Sequence, residues 1–466
     1  MYYRLNKDYG FRGWKNLPFA IQKVRGRDIS IFFFRKEEFR YLIKCNGLET
    51  LDPADLPEEI YQVIKKLVEL KVVCESENSM ERLLSYQRYA KYEARYIESV
   101  QWAITGKCNF SCRHCEVSAP GYAVPELTLE RAKYIIDEIA ACGIRNIQIT
   151  GGEPLIRKDL EEIISYIHEK NLLVTKLYTN GALLDERILT LFERYEMKPK
   201  VQISFDGIGY HDWLRGVLGA EDKALKAFSL LKERGYSASA AMMIHRKNKE
   251  SLLNTVELLS DAGVSELGVN APKVIGVWKE YAEEYALTED EVWQVYKDFL
   301  PKYYKEKIPI LISLDGYFAG RGDSTEYWIP YLKSWEDDYD FSQMLCCKSV
   351  YKKLHINSVG KVFPCMSFAC YDVIAERMPS IFTEGLTEIT WHSACSRLVN
   401  YKVLDYLKDN QECMDCKYQK SCRGGCYAQN VSDTGQPGID KRTCYFFKNI
   451  GEEAVRSLVK EAMRID

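Results

Sequence analysis

Between residues 100 and 270 the chain alternates between two hydrophobic patterns. Short apolar runs typical of strands are followed by stretches in which apolar residues recur at helical spacing, and Thr128 stands where it would cap one helix. Six strands alternating with helices predict a parallel α/β sheet, in the form of an open or partial barrel. The predicted strands are 100–105, 144–150, 172–179, 201–206, 237–244 and 266–269, and the predicted helices are 129–141, 160–168, 224–234 and 252–262.

Residues 1–95 have a different pattern, which reads strand, helix, helix, strand. That order indicates a small winged-helix domain, and an amphipathic linker helix is expected at 80–98. The regular alternation of strand and helix patterns ends at about residue 300. We therefore expect three domains, at 1–95, 96–320 and 321–466. The predicted elements of the first domain are 29–34, 39–43, 60–68 and 70–73.

Length and charge exclude several classes of protein. The 466 residues allow two or three domains, and the net charge of -3 leaves no basic excess for a nucleic-acid partner. The amino terminus does not follow the signal-peptide pattern, and no run of 18 apolar residues offers a membrane span. A cytoplasmic protein without membrane contact is expected.

The cysteine content changes this picture, because the chain has sixteen cysteines and only six histidines. In a reducing compartment such cysteines indicate metal binding or catalysis, and thiolates suit iron–sulfur clusters or zinc. Ten of them lie between 346 and 444, in a loop-rich region that is expected to fold around metal. Four of the sixteen are expected to be small buried residues, namely Cys45, Cys74, Cys142 and Cys395.

Three cysteines directly follow the first predicted barrel strand. Three thiolates within eight residues can hold a cubane cluster and leave one iron open to a small molecule; the alternative is a zinc knuckle that uses His114 or a distant residue. The second strand ends in Gly-Gly-Glu-Pro at 151–154, where glycines allow close backbone approach and Glu153 can accept a hydrogen bond from an ammonium group. The cysteines are Cys108, Cys112 and Cys115.

This CxxxCxxC spacing followed by GGEP resembles the signature of the radical S-adenosylmethionine (radical SAM) superfamily. The resemblance covers roughly residues 100–270. It implies an enzyme that cleaves S-adenosylmethionine reductively to a 5′-deoxyadenosyl radical, with a [4Fe–4S] cluster on the three cysteines. No catalytic residue is assigned beyond the cluster.

The same resemblance assigns contacts to S-adenosylmethionine. Gly151, Gly152 and Glu153 would hold the methionine amino group, while His114 would lie near the adenine. Three further candidates are Ser204 at the ribose, Asn180 in the pocket lining and Arg215 at the methionine carboxylate. The alternative is a plain turn for Asn180 and a surface salt bridge for Arg215.

The C-terminal cysteine series is too dense for one zinc site and resembles the SPASM extension of radical SAM enzymes, which implies two auxiliary [4Fe–4S] clusters and three in all. The second auxiliary set has only three members. Cys346 and Cys370 are candidates to complete it; otherwise the site is open, and a substrate thiolate could bind there. The first set is Cys413, Cys416, Cys422 and Cys444, and the second is Cys347, Cys365 and Cys426.

The N-terminal domain resembles the recognition domain of maturases that act on ribosomally made peptides, where a leader would add a strand near 29–34. We expect a maturase that crosslinks residues of a precursor peptide oxidatively, with a thioether as the first choice. Carbon–carbon crosslinking at Lys or Trp and epimerisation are the alternatives. An electron donor such as ferredoxin or flavodoxin is the second expected partner.

The sequence argues against two other functions, sulfatase maturation and electron transfer. Sulfatase maturases carry an aspartate where Met366 stands here. An iron–sulfur electron carrier would have no use for the Gly-Gly-Glu-Pro turn or the barrel.

Overall fold

The computed structural model describes residues 1–26, 28–116, 125–332 and 340–464. Those residues form three β-sheets, of three, four and eleven strands, with helices packed against them. No helix within these ranges is long and apolar enough to span a membrane.

The N-terminal region contains the two smaller sheets. Its elements are β1 (Tyr2–Leu5), β2 (Tyr9–Trp14), β3 (Ala20–Lys23), β4 (Ile31–Phe33), α1 (Lys36–Leu42), β5 (Asn46–Thr50), α2 (Glu58–Glu69), β6 (Val73–Ser76) and β7 (Ala90–Tyr92). One sheet has the order β5-β1-β6 and the other the order β4-β3-β2-β7. Apolar residues of α1 and α2 pack with β1 in one core, because α1 presents Phe39 and Leu42 and α2 presents isoleucine and leucine at helical spacing.

Two features of this region differ from the sequence prediction. The predicted first and last strands exist as β4 and β6 but lie in different sheets. Residues 80–98 do not form a linker helix; they contain a 3-10 turn at Ser85–Gln87 and the strand β7, which pairs with β2. The reason is that Arg12 of β2 donates to the carbonyls of Tyr86 and Arg88, so this segment follows the sheet.

All six predicted barrel strands are present, and they pair in parallel in chain order. The elements are β8 (Ser99–Ala103), α3 (Leu129–Ala141), β9 (Asn146–Thr150), α4 (Leu160–Glu169), β10 (Leu173–Thr179), α5 (Glu186–Arg194), β11 (Lys200–Ser204), α6 (His211–Arg215), α7 (Ala220–Glu233), β12 (Ala238–Met243), α8 (Leu252–Asp261) and β13 (Val264–Asn270). Thr128 caps α3 as predicted, since its side chain accepts a hydrogen bond from Arg131 N at 3.3 Å. The fold is therefore the predicted partial α/β barrel.

The eleven-stranded sheet continues beyond these six strands on both sides. After α9 (Ala282–Tyr285) and α10 (Glu289–Lys305), β14 (Leu311–Leu314) adds a parallel strand, and β15 (Phe318–Arg321) and β16 (Tyr327–Trp328) add antiparallel ones. On the other side β17 (Lys353–Ile356) pairs in parallel with β8 and is followed by β18 (Val362–Phe363). The expected boundary at 320 thus falls inside β15.

The C-terminal region consists mainly of short helices joined by loops, as expected for a region with few regular apolar repeats. They are α11 (Lys348–Lys352), α12 (Met366–Ala369), α13 (Asp372–Ala375), α14 (Ile381–Glu384), α15 (Leu386–His392), α16 (Ala394–Val399), α17 (Val403–Asp409), α18 (Gln411–Met414), α19 (Gln419–Cys422), α20 (Lys441–Tyr445) and α21 (Gly451–Ala462). Most of the predicted auxiliary ligands lie in or beside these helices.

Candidate active site and cluster sites

The three-cysteine loop follows β8 and is held against the turn that ends β9. Gly152 N donates to Thr105 O at 2.9 Å, and Glu153 N donates to Lys107 O at 2.8 Å. Phe110 N donates to Cys108 Sγ at 3.4 Å, so the loop folds back around its first cysteine. The three thiols are half-buried at the carboxyl ends of the strands, where a parallel sheet places its reactive groups. They are Cys108, Cys112 and Cys115.

The two glycines of the turn are required by this close approach. A Cβ on Gly151 would lie 2.5 Å from Thr105 O, and a Cβ on Gly152 would lie 3.0 Å from Cys108 Cβ and closer still to Lys107 O. No real side chain tolerates such contacts, so the turn and the cysteine loop form one packed unit.

Glu153 is fully buried beneath this unit. Its carboxylate accepts hydrogen bonds from Leu155 N (3.1 Å), Thr179 Oγ1 (2.7 Å) and Asn180 N (2.7 Å). Burial raises the pKa of Glu153 to about 7 against the opposing effect of these bonds. Asn180 also donates from Nδ2 to Asn109 Oδ1 at 2.8 Å, which ties β10 to the cysteine loop.

A buried ion pair closes the other side of the loop. Arg215 Nε donates to Asp206 Oδ2 at 2.6 Å, and Arg215 Nη1 lies 3.8 Å from Cys112 Sγ. Burial alone would raise the pKa of Asp206, but Arg215 and His211 together lower it below the ordinary value. The surface salt bridge considered for Arg215 is therefore wrong, because both partners are buried and Arg215 lies beside Cys112.

Three buried histidines around this ion pair each have a ring nitrogen without a hydrogen-bond partner among the described residues. His114 lies in the cysteine loop, and burial lowers its pKa to about 3, with Arg215 adding to the effect. Unpartnered buried nitrogens are costly, and they fit a polar ligand such as a nucleoside. The histidines and atoms are His114 Nδ1, His211 Nε2 and His245 Nε2. Ser204 is the last residue of β11 and so lies at the carboxyl end of that strand.

Four C-terminal cysteines line one pocket together. Three of them come from the segment between α17 and the glycines at 424 and 425, and the fourth lies in α20. Burial raises the pKa of Cys413, and its neighbours Cys444 and Cys416 raise it further, as expected of thiols that face a common space. This grouping is the one that the sequence resemblance implied: Cys413, Cys416, Cys422 and Cys444.

The remaining three cysteines of the series also face one another. Burial raises the pKa of Cys426 to about 12, with further contributions from Cys365 and Cys347. Cys370 donates its thiol hydrogen to Glu116 Oε2 at 3.4 Å, and Cys346 is buried beside Tyr401. Both also lie near the three-cysteine set, since burial raises the pKa of Cys370 with a contribution from Cys365, and Cys346 acts on Tyr427 together with that set. Within the described ranges no three cysteine, histidine or acidic side chains converge as they would on a single metal ion.

The Cys370–Glu116 contact joins the C-terminal region to the first cysteine loop, because Glu116 directly follows Cys115. Lys273, which follows β13, lies in the same place and donates to Ser367 Oγ at 3.3 Å. Sequence reasoning missed Glu116, Lys273 and His245, although two of them come just after strand ends, where reactive groups were expected.

Four further cysteines were expected to be small buried residues and not cluster ligands. Cys45, Cys142 and Cys395 are buried, as expected of small apolar residues. Cys74 is exposed on β6, so the same expectation is wrong there.

Comparison with known families now identifies the barrel, since residues 102–259 match the family model of the Radical SAM superfamily. This segment is a radical SAM domain. A radical SAM domain indicates an enzyme, and the family of that domain implies S-adenosylmethionine and a [4Fe–4S] cluster. The residues present suit both, because three half-buried thiols and a buried histidine with an unpartnered ring nitrogen lie in the loop at the strand ends.

Three similar proteins extend the comparison. The antilisterial bacteriocin subtilosin biosynthesis protein AlbA of Bacillus subtilis is 24% identical over 76% of this chain and 72% of its own. The AdoMet-dependent heme synthase of Methanosarcina barkeri is 27% identical over 74% of this chain and 96% of its own. The crystal structure of Streptococcus suis SuiB bound to the precursor peptide SuiA has a TM-score of 0.64 at 14% identity, over 95% of this chain and 99% of SuiB.

Proposed function

We propose that this radical SAM enzyme is a maturase that oxidatively crosslinks residues of a ribosomally made precursor peptide. The observation that carries the proposal is the N-terminal region, whose four-stranded sheet ends in an edge strand, joined to the barrel and to a cysteine-rich region. The SuiB likeness covers 95% of this chain, more than residues 96–466 alone could account for, so it extends into that region. AlbA acts in the biosynthesis of a peptide, which supports the same substrate class.

The leader of the peptide would bind along β4, the edge strand of the four-stranded sheet. Lys23 N donates to Ser30 O, and Phe34 N donates to Phe19 O at 3.0 Å. In an antiparallel pair this pattern turns the N–H groups of Ile31 and Phe33 away from β3, where an added strand would meet them. Phe33 is exposed and offers its ring to the same neighbour.

Two proline variants test this binding mode. Ile31→Pro removes an outward N–H, which an edge strand tolerates, so we expect weaker peptide binding with little change in the unfolding temperature. Phe32→Pro removes an N–H that pairs with β3 and should unfold the edge as well. Equal peptide affinity in Ile31→Pro and the unaltered enzyme would contradict leader binding at β4.

The proposal includes three [4Fe–4S] clusters. The radical SAM cluster would be held by Cys108, Cys112 and Cys115, and one auxiliary cluster by the four cysteines that share a pocket. The other would be held by Cys347, Cys365 and Cys426, which leaves a ligand position for a thiol of the substrate. When bound, the clusters supply one-electron transfer, first to S-adenosylmethionine and later from the substrate.

A thioether is the crosslink that this arrangement favours. Joining a thiol to a carbon removes two hydrogen atoms: one leaves as hydrogen on 5′-deoxyadenosine, and the other as a proton and an electron. The protein side must therefore bind a thiol near the radical site and accept that electron. The Glu116–Cys370 contact supports closeness of the two sites, since it joins the loop of the first cluster to the region of the three-cysteine set.

The test uses the anaerobically reconstituted enzyme and the peptide encoded by a neighbouring short open reading frame. A thioether predicts loss of two hydrogens per crosslink and loss of one alkylatable thiol. A carbon–carbon crosslink would lose two hydrogens and keep its thiols, and epimerisation would leave the mass unchanged. An unmodified peptide with normal formation of 5′-deoxyadenosine would reject this substrate.

The open ligand position has its own test. Cys370→Ala and Cys346→Ala should each keep three clusters and crosslinking, because Cys370 is engaged with Glu116 and Cys346 is buried beside Tyr401. Loss of one cluster in either variant would mean that the protein closes the site. Substrate ligation would then be dropped.

A further inference from the structure

A pocket at the opposite end of the barrel from the cysteine loop is not used by the proposed chemistry. It lies between the four-stranded sheet of the N-terminal region and the amino ends of β9 and β10. Neutral polar groups on its wall include Gln22, Tyr86, Tyr92 and Asn171. Its cationic residues define what we call the basic pocket: Arg12, Arg25, Arg145 and Lys170.

Two of these cations are almost completely buried, with Arg12 6% and Arg145 8% exposed. The hydrogen bonds that these two side chains donate go to neutral carbonyls. Arg12 Nη1 donates to Phe11 O at 2.7 Å, and Arg145 Nε donates to Asn171 O at 2.9 Å. Arg12 Nε is buried without a partner among the described residues, and neither guanidinium forms an ion pair with a described carboxylate. A buried charge that meets only neutral acceptors remains uncompensated.

The nearest acidic groups do not supply the missing charge. Asp28 pairs with Lys23 at 2.5 Å, and Asp137 pairs with Lys170 at 2.6 Å. Burial lowers the pKa of Arg145 to about 10, and Arg12 lowers it further while Asp28 opposes. The two guanidinium groups therefore repel each other inside one pocket.

We propose that the basic pocket binds an oxyanion, that is, the phosphate or carboxylate group of a ligand. Guanidinium groups match the geometry of both anions, because each can offer two parallel N–H donors to two oxygens. Arg12 and Arg25 belong to the N-terminal region, whereas Arg145 and Lys170 belong to the barrel. A bound oxyanion would thus hold the two regions together, at a distance from the radical site.

The binding test uses the cluster-loaded full chain and radiolabelled inorganic phosphate in equilibrium dialysis. We expect saturable binding that weakens about tenfold in Arg145→Gln, which corresponds to the loss of one charged hydrogen-bonding partner. Arg25 is exposed and stacks on the Tyr86 ring at 3.9 Å, so Arg25→Gln should fold normally and bind several-fold more weakly. Arg187→Gln is the matched control, because that side chain is 88% exposed and remote from the pocket.

A second probe, acetylated hexaglutamate, distinguishes a peptide carboxylate from a free phosphate as the source of the anion. Displacement of phosphate by hexaglutamate assigns the site to a peptide carboxylate, and phosphate binding without displacement assigns it to a free phosphate; either supports the proposal. Arg25→Gln and Lys170→Gln keep the test valid if Arg145→Gln fails to fold. Absence of saturable binding of both probes, or equal affinity in Arg25→Gln, Lys170→Gln and the unaltered chain, would overturn it.

Discussion

Replacing Gly152 by alanine should disconnect the cysteine loop from the turn that supports it. The new Cβ would lie 3.0 Å from Cys108 Cβ and closer still to Lys107 O, whereas an ordinary carbon contact begins near 3.4 Å. Neither neighbour is the flexible end of a side chain, so the backbone must move by several tenths of an ångström or more. Overpacking of this kind costs about 1–3 kcal/mol, and the movement displaces the first cluster cysteine itself.

The expected result is a chain that keeps its fold but loses one cluster. We expect the unfolding temperature to fall by several degrees, iron content to drop by one cluster, and formation of 5′-deoxyadenosine to fall at least tenfold. Gly268→Ala is the matched control, since a Cβ there would meet only Asn270 Nδ2 at 3.8 Å and its φ is not positive. Full iron content and normal S-adenosylmethionine cleavage in Gly152→Ala would refute the view that the glycine serves close packing.

Three further predictions follow from the same site. Replacing Cys108, Cys112 and Cys115 together by alanine should remove one cluster's iron and abolish 5′-deoxyadenosine, and retention of that product would reject the assignment. Asp206→Asn leaves Arg215 buried without its ion-pair partner and should lower the free energy of unfolding, measured in urea, by about 3–5 kcal/mol. As the control, Asp323→Asn breaks an exposed ion pair and should change that free energy by less than about 1 kcal/mol. The folded-state pKa of Glu153, about 7, lies above the ordinary 4.5, so its contribution to stability is complete below about pH 4.5 and is lost as the pH rises through 7. Urea unfolding of the ligand-free chain should show that loss, up to about 3 kcal/mol, and Glu153→Gln should remove it.

The barrel could be predicted from sequence because its signal is local. Each strand is a short apolar run, each helix has one apolar face, and Thr128 caps α3 without help from the rest of the chain. The N-terminal strands lack that signal. All six residues of β2 are buried although they include two glycines and an arginine, because Tyr9 and Phe11 pack in the core of the N-terminal region while Trp14 contacts the barrel, where its Nε1 donates to Cys142 O at 2.8 Å. Only the tertiary contact explains that burial.

The candidate site likewise contains residues that the sequence indicated and residues that it did not. Glu153 and Ser204 could be named from the sequence through the Gly-Gly-Glu-Pro motif and the family resemblance, and Asn180 through the end of the third predicted strand. The same rule would have pointed to His245 and Lys273, which follow β12 and β13 by a few residues, had loop residues been included. Charged residues are mostly exposed, so nothing in the sequence indicated that Arg215 is buried.

Arg215 can be buried because two local features cooperate beside the cysteine loop. Asp206 neutralises its charge, and Gly216, at φ 68°, lets the chain turn where a Cβ would lie 2.5 Å from Ser111 O. Gly151 and Gly152 play the equivalent part on the other side of the loop. The cysteine loop, which we propose holds one cluster, is therefore fixed in place from two sides by backbone that only glycine permits. The spacing of the cysteines and the Gly-Gly-Glu-Pro turn occur together because they are the two halves of one contact.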